Sequence, residues 1–432
     1  MIMLKKSCPF LFLLVSLVLS MSMMTVNAAA AVSNGTVSPV ESNNIQGWPA
    51  GPEVACETAV LMEADNGNIL YSKGGDELRY PASITKIMTA LLAIENLQLD
   101  TQVTFSENSV ASEQVAGSST LHMQVGEVIT VEDCLYGLII QSANEIAIQL
   151  AEQVSGSEAA FAELMNQRAA EIGCKSTNFV NASGLPDENH YTTAYDMALI
   201  CREALKNQTF RTVIQTENYV IPPTNLSAGA RELHTHHPLL ASESAEYYEG
   251  CLGGKSGSTE AAGKTLVTAA ERKGITLIAV VMKGADMGPN CQDTTNLLNY
   301  GFDNFKKIDL NQGFVLVPSN VRMEELQCEE NVQQDGSVLL NYSYSGQPVG
   351  SAYKEEEKPQ EEMKEKPTAE KGVSESNDEN TQQQDKNNRS QSHSLMDALL
   401  ILLAVLIAVL VILIVLLTKK DRRKNKRRKK KR

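Results

Sequence analysis

No CxxC pair and no Cys/His spacing of the kind that holds zinc occurs in the 432 residues, so nothing in the cysteine pattern suggests a zinc site. Seven cysteines lie beyond residue 28 (Cys56, Cys134, Cys174, Cys201, Cys251, Cys291 and Cys328). An odd number leaves at least one thiol free or paired between chains, and the spacing fixes no connectivity. Internal repeats are missing. So is a sustained basic surface: 38 Lys+Arg stand against 52 Asp+Glu, and the bases are unevenly placed. Residues Lys419 to Arg432 hold 12 bases and one acid, a charge of +11, and the first 28 residues hold only Lys5 and Lys6. What remains carries −27. So acidic a middle excludes a general polyanion binder, nucleic acid included.

The ends belong to different places. Residues 1–28 read as a signal peptide, with Lys5-Lys6, an apolar stretch from Pro9 to Leu19, and the small-residue exit Val26-Asn27-Ala28. Residues 398–417 are 20 consecutive apolar residues, enough for one transmembrane helix. The basic tail, 418–432, is then expected in the cytoplasm, where it would also meet anionic lipid. Between globule and span, 353–394 is rich in Glu, Lys, Gln, Asn and Ser and is expected to be a disordered stalk. The expected location is a single-pass cell membrane protein with its folded part outside.

Within the folded part, Thr58–Glu63 and Asn68–Ser72 flank Asp65-Asn66-Gly67, a hairpin signal. Helices are expected over Ser83–Glu95, from Thr130 to Ile140, and over Glu145–Val154, Ala159–Ile172 and Asp293–Phe305. Thr265–Glu271 and Ile275–Met282 form a second hairpin across Lys273-Gly274. Strands at both ends with helices between them imply one sheet built from distant segments and covered by helices. Residues 307–352 read as a small β-rich segment.

Three short motifs carry candidate chemistry. In Ser83-Ile84-Thr85-Lys86, a hydroxyl and an amine three residues apart share a helix face, so a neutral lysine could activate the serine. In Ser142-Ala143-Asn144, a polar pair interrupts apolar helical stretches; with Glu145 it also reads as a capping box, and alone that reading is preferred. Lys255-Ser256-Gly257, followed by Ser258, suits a strand approached closely by something else, and its hydroxyls and ammonium could hold a carboxylate.

Taken in order, and together with Asn181-Ala182-Ser183-Gly184-Leu185-Pro186 and the stretch from His190 to Ala198, these residues resemble the low-molecular-mass penicillin-binding proteins, specifically the serine-type D-alanyl-D-alanine carboxypeptidases. The resemblance runs from about Glu57 to Phe305 and implies a catalytic domain over 48–306. The implied fold class is α/β (α+β): a five-stranded antiparallel sheet flanked by helices, with an α-helical lobe. It further implies Ser83 as acylated nucleophile, Lys86 as general base, and Ser142 and Asn144 lining the cleft. Lys255 and Ser256 would bind the substrate carboxylate, and the N–H groups of Ser83 and Ser258 would form an oxyanion hole. The implied partners are a peptidoglycan stem peptide ending in D-Ala-D-Ala and β-lactam antibiotics; no cofactor is implied.

Two features depart from the pattern. Ser256 stands where the family usually has threonine, and the histidines of Glu232-Leu233-His234-Thr235-His236-His237 are read as a solvated loop rather than a metal site. Rival readings are a β-lactamase, for which Glu163 is the available deacylating acid, and a non-catalytic penicillin sensor, for which the tail is short.

Overall fold

The computed structural model describes residues 38–111 and 115–355. The signal segment, the apolar span, the basic tail and all but the first three residues of the expected stalk lie outside them. Among the described residues no helix is long and apolar enough to cross a membrane.

One antiparallel sheet of five strands is assembled from both ends of the folded chain, in the order β2-β1-β9-β8-β7. The strands are β1 (Thr58–Glu63), β2 (Ile69–Lys73), β7 (Cys251–Thr259), β8 (Gly263–Arg272) and β9 (Ile275–Gly284). The hairpin turn between β1 and β2 is closed by buried Glu63, whose carboxylate accepts the N–H groups of Asp65 and Asn66 at 2.7 Å.

Side chains alternate across a strand, and here both faces are covered. Val60, Met62, Val267, Ala269, Ile278 and Val280 enter a front core with the helices. Ala59, Leu61, Leu266, Ala270, Leu277 and Ala279 enter a rear core. The helices of the front core include α1 (Lys86–Asn96), α3 (Val131–Ile139), α4 (Asn144–Ser155), α5 (Glu158–Ile172), α6 (Ala194–Leu205) and α7 (Gln208–Gln215). A short helix α2 (Glu107–Ala111) and the two-stranded ribbons β3–β4 (Gln102–Thr104, Val128–Thr130) and β5–β6 (Asn218–Ile221, Arg231–His234) complete this lobe. Thr130 caps α3 with a reciprocal bond from Asp133, the start signalled by the sequence.

Behind the sheet lies α8 (Met287–Asn304). It begins six residues before the expected Asp293 and takes Gly288 and Pro289 into the helix. Both sit in the first turn, where a missing N–H costs nothing, and Asp286 accepts the Met287 N–H. Asp293 holds the N–H groups of Ala55 and Cys56 at 3.0 and 2.8 Å, tying the entry of β1 to this helix.

After α8 the chain forms a second five-stranded sheet, ordered β10-β11-β14-β13-β12. Its strands are β10 (Phe305–Leu310), β11 (Gly313–Pro318), β12 (Gln327–Val332), β13 (Val338–Tyr344) and β14 (Gln347–Tyr353). Tyr353, expected at the start of the stalk, ends β14. Val315, Leu316 and Val317 are fully buried in the rear core beside Trp48 and Phe305, whose rings meet edge to face at 5.2 Å.

Candidate active site

The segment expected as one helix from Ser83 is divided. Ala82–Thr85 is a 3-10 turn, and α1 starts only at Lys86. Residues i and i+3 nearly eclipse in a 3-10 turn, which stacks Ser83 over Lys86 more directly than an α-helix would. Lys86 Nζ lies 3.2 Å from Ser83 Oγ.

The turn is gripped from two sides by glycines. A Cβ at Gly184, where φ is +84°, would lie 1.9 Å from Ala82 O. A Cβ at Gly257 would lie 2.9 Å from Ser83 N. Ala82 itself holds φ 52°, a left-handed conformation costly for an alanine, on the residue just before the candidate nucleophile. Thr265 Oγ1 donates to Pro81 O at 2.9 Å and anchors the turn to β8.

Lys86 is fully buried among polar partners. Its Nζ donates to Asn144 Oδ1 at 2.6 Å and to Ser183 O at 2.7 Å. Desolvation, and then the charge of Lys255, hold its pKa well below the ordinary lysine value, while buried Glu145 opposes them. Repulsion between the two lysines is therefore the lesser cause.

Ser142 does not cap a helix. It sits at φ 60°, and α4 begins after Ala143 with no side-chain cap. Glu145, the other half of the expected capping box, turns away: its Oε1 accepts the Leu121 N–H at 2.6 Å. A left-handed kink between two helices replaces the cap. It carries Asn144 onto Lys86, with Asn144 N bonded to Ser119 O at 2.8 Å.

On β7, Lys255 is buried and its Nζ donates to Ser256 O at 2.8 Å. Burial lowers its pKa to about 7. Ser256 Oγ lies 3.5 Å from His236 O. The histidines do not form a solvated loop: His234 ends β6, and His237 is buried with its Nε2 3.2 Å from Val267 O. The apolar spacing of Leu233, Leu239 and Leu240, all buried, shows why this segment packs. Among the described residues no group of His, Cys, Asp or Glu could hold a metal ion.

The loop Asn181–Pro186, to which the sequence assigned no chemistry, supplies a direct contact to Lys86 through Ser183 O. Asn181 Oδ1 accepts the Ser183 and Gly184 N–H groups at 3.3 and 2.7 Å and so shapes the loop. His190 Nδ1 accepts the Val180 N–H at 3.1 Å, leaving Nε2 to bond Thr85 Oγ1 at 2.8 Å. Desolvation drives His190 down to about 4, so it is neutral at pH 7. Beside the turn, Pro81, Ala82, Leu185, Asp187 and Thr259 line a cavity of about 240 Å³.

A half-buried serine beside a buried lysine with a third polar partner, set between a helical lobe and a sheet edge, is an arrangement that suits a serine hydrolase with a lysine base. Residues 45–286 match the family model for D-alanyl-D-alanine carboxypeptidase. The D-alanyl-D-alanine carboxypeptidase DacF of Bacillus subtilis is 34% identical over 253 residues, which cover 58% of this chain but only 63% of that one. The D-alanyl-D-alanine carboxypeptidase of Streptomyces sp. strain K15 is 34% identical over 298 residues, 65% of this chain and 99% of its own. The solved Streptomyces K15 DD-transpeptidase superposes with a TM-score of 0.55 at 31% identity, covering 59% of this chain and all of that one. Penicillin-binding protein 6B from Escherichia coli, at 24% identity and a TM-score of 0.60, covers 72% of this chain and 98% of its own; it speaks for the fold. The chain belongs to the D-alanyl-D-alanine carboxypeptidases, the low-molecular-mass penicillin-binding proteins, and is a serine-type peptidase.

Proposed function

We propose that this protein removes the terminal D-alanine from peptidoglycan stem pentapeptides through an acyl-enzyme on Ser83, and that penicillin acylates the same serine. The carrying observation is the geometry at Lys86. A neutral amine has two N–H groups and one lone pair. Asn144 Oδ1 and Ser183 O take the two hydrogens at 2.6 and 2.7 Å, so the lone pair is left facing Ser83 Oγ at 3.2 Å.

In this reading Ser83 Oγ attacks the carbonyl of the scissile amide and its proton passes to Lys86 Nζ. The oxyanion is held by the N–H groups of Ser83 and Ser258. Collapse breaks the C–N bond, and the proton returns to the leaving amine with Ser142 beside the path. Water then attacks the ester and gives its proton to Lys86; the C–O bond to Ser83 breaks, Lys86 returns the proton to Ser83 Oγ, and the shortened stem peptide leaves. Lys255 and Ser256 hold the terminal carboxylate of substrate or β-lactam. The β-lactamase alternative loses its candidate acid, since Glu163 is exposed on α5.

The outer layout follows the sequence: a signal peptide at 1–28, the enzyme held outside the membrane by a stalk and a span at 398–417, and a basic tail inside. The purified protein is expected to release D-alanine from a peptide ending in D-Ala-D-Ala and to gain the mass of one penicillin at Ser83. Labelling that persists in Ser83→Ala, or rapid penicillin turnover without D-alanine release, contradicts the assignment. Adding an amine acceptor to the assay separates hydrolysis from the transpeptidation for which the solved Streptomyces protein is named.

A further inference from the structure

The carboxylate site on β7 has a cation that none of the three motifs contains. Ser258 and Lys264 face each other across the β7–β8 ladder, and Lys264 Nζ donates to Ser258 Oγ at 2.9 Å. No carboxylate pairs with Lys264 among the described residues.

Its place is built rather than incidental. The β8–β9 register shifts between Lys264 and Leu266, and such a bulge re-aims the side chains beside it. Asn290, buried on α8, donates its Nδ2 to Lys264 O at 3.0 Å. That approach requires Gly284, where a Cβ would lie 1.7 Å from Asn290 Oδ1. Helix, bulge and glycine together fix the start of β8.

A hydroxyl has one hydrogen to give and two lone pairs. With a lone pair of Ser258 taken by the ammonium, its hydrogen is left to donate, and no acceptor among the described residues takes it. Ser256 and Ser258 are two apart on one strand and share a face. Hydroxyls so placed stand about 7 Å apart, a gap that a carboxylate bridges with one hydrogen bond to each.

We propose that Lys264 is a positioning residue for substrate recognition: its ammonium orients and polarises the Ser258 hydroxyl, which donates to the terminal carboxylate alongside Ser256 and Lys255. This rests on the reading of Ser83 as the acylated serine. Burial leaves Lys255 only partly charged near neutral pH, so a second, more solvated cation adds field where the carboxylate docks.

The test is a double-mutant cycle on the full-length protein, following penicillin acylation of Ser83 by mass. Lys264→Met and Ser258→Ala are each expected to weaken binding about tenfold, one charge-assisted hydrogen bond, and Lys264→Met is expected to hold the limiting acylation rate within a factor of about two. The double variant should lose no more than Ser258→Ala alone, and Lys264→Arg should restore most of the affinity. Penicillin methyl ester, which lacks the carboxylate, should not distinguish wild type from Lys264→Met. Additive losses in the double variant, an equal loss on the ester, or no loss at all would each overturn the role of Lys264. A wild-type protein that is never acylated at Ser83 overturns the parent reading instead.

Discussion

Lys86 and Lys255 carry the same amino group, and their surroundings set them apart. Both are buried, and burial is the largest cause of the lowered pKa in each. Lys86 also feels Lys255, and desolvation and repulsion together hold its pKa well below the ordinary lysine value, which favours the neutral form that a base needs. Lys255, at about 7, remains partly charged. Its protonated form, which would attract a carboxylate, exists below that pKa and disappears above it. Acylation by penicillin is therefore expected to show kcat/KM falling as pH rises through about 7, because kcat/KM reports the free enzyme. In the complex the bound carboxylate raises the pKa of Lys255, so the limiting rate should fall only at higher pH. A second-order rate constant that stays flat from pH 6 to 9 would rule this out. The sequence singled out Ser83, Lys86 and Lys255 as candidates through three motifs taken in order with the family resemblance, whereas it assigned no role to Ser183, His190 or Lys264. Ser183 acts through its carbonyl, which any residue possesses. Lys264 depends on a cross-strand register that residue order does not disclose.

Among the elements, the 3-10 turn Ala82–Thr85 is the most demanding, because strain there is held by its neighbours rather than by its own residues. Gly184 and Gly257 let a loop and a strand approach it closely, and Thr265 ties it to β8. Gly184→Ala puts a methyl against the Ala82 carbonyl at a position with φ +84°, so loop or turn must shift. Misplacing a nucleophile by about 1 Å costs roughly 100-fold. The variant is expected to keep wild-type far-UV circular dichroism while its acylation rate falls by about that factor. An unchanged rate would show that the loop does not fix the turn. Long periodic helices were legible, as α5 shows within a residue. The ribbons β3–β4 and β5–β6 were not, since strands of three or four residues have too few alternations to register.

At the scale of the whole molecule, the first sheet separates two cores. The front core supports the site; the rear core joins α8 to the second sheet. Leu316 is fully buried at the rear. Leu316→Ala is expected to cost about 2–5 kcal/mol of stability in urea unfolding while the acylation rate per folded molecule stays the same. A coupled fall in that rate would mean that the rear sheet tunes the site. The charge of −14 describes no single compartment in the proposed layout, because the +11 tail is inside and the acidic remainder outside. The sequence alone determined which candidate groups are present, their order, and the alternation that sends Val60 forward and Leu61 back, since these are properties of residue type and local period. Only the tertiary structure decided that Ser142 kinks rather than caps, that Ser183 completes the cradle of Lys86, and that Lys264 stands opposite Ser258. Each of these depends on contacts between segments far apart in sequence, where burial and register rather than local preference set the outcome.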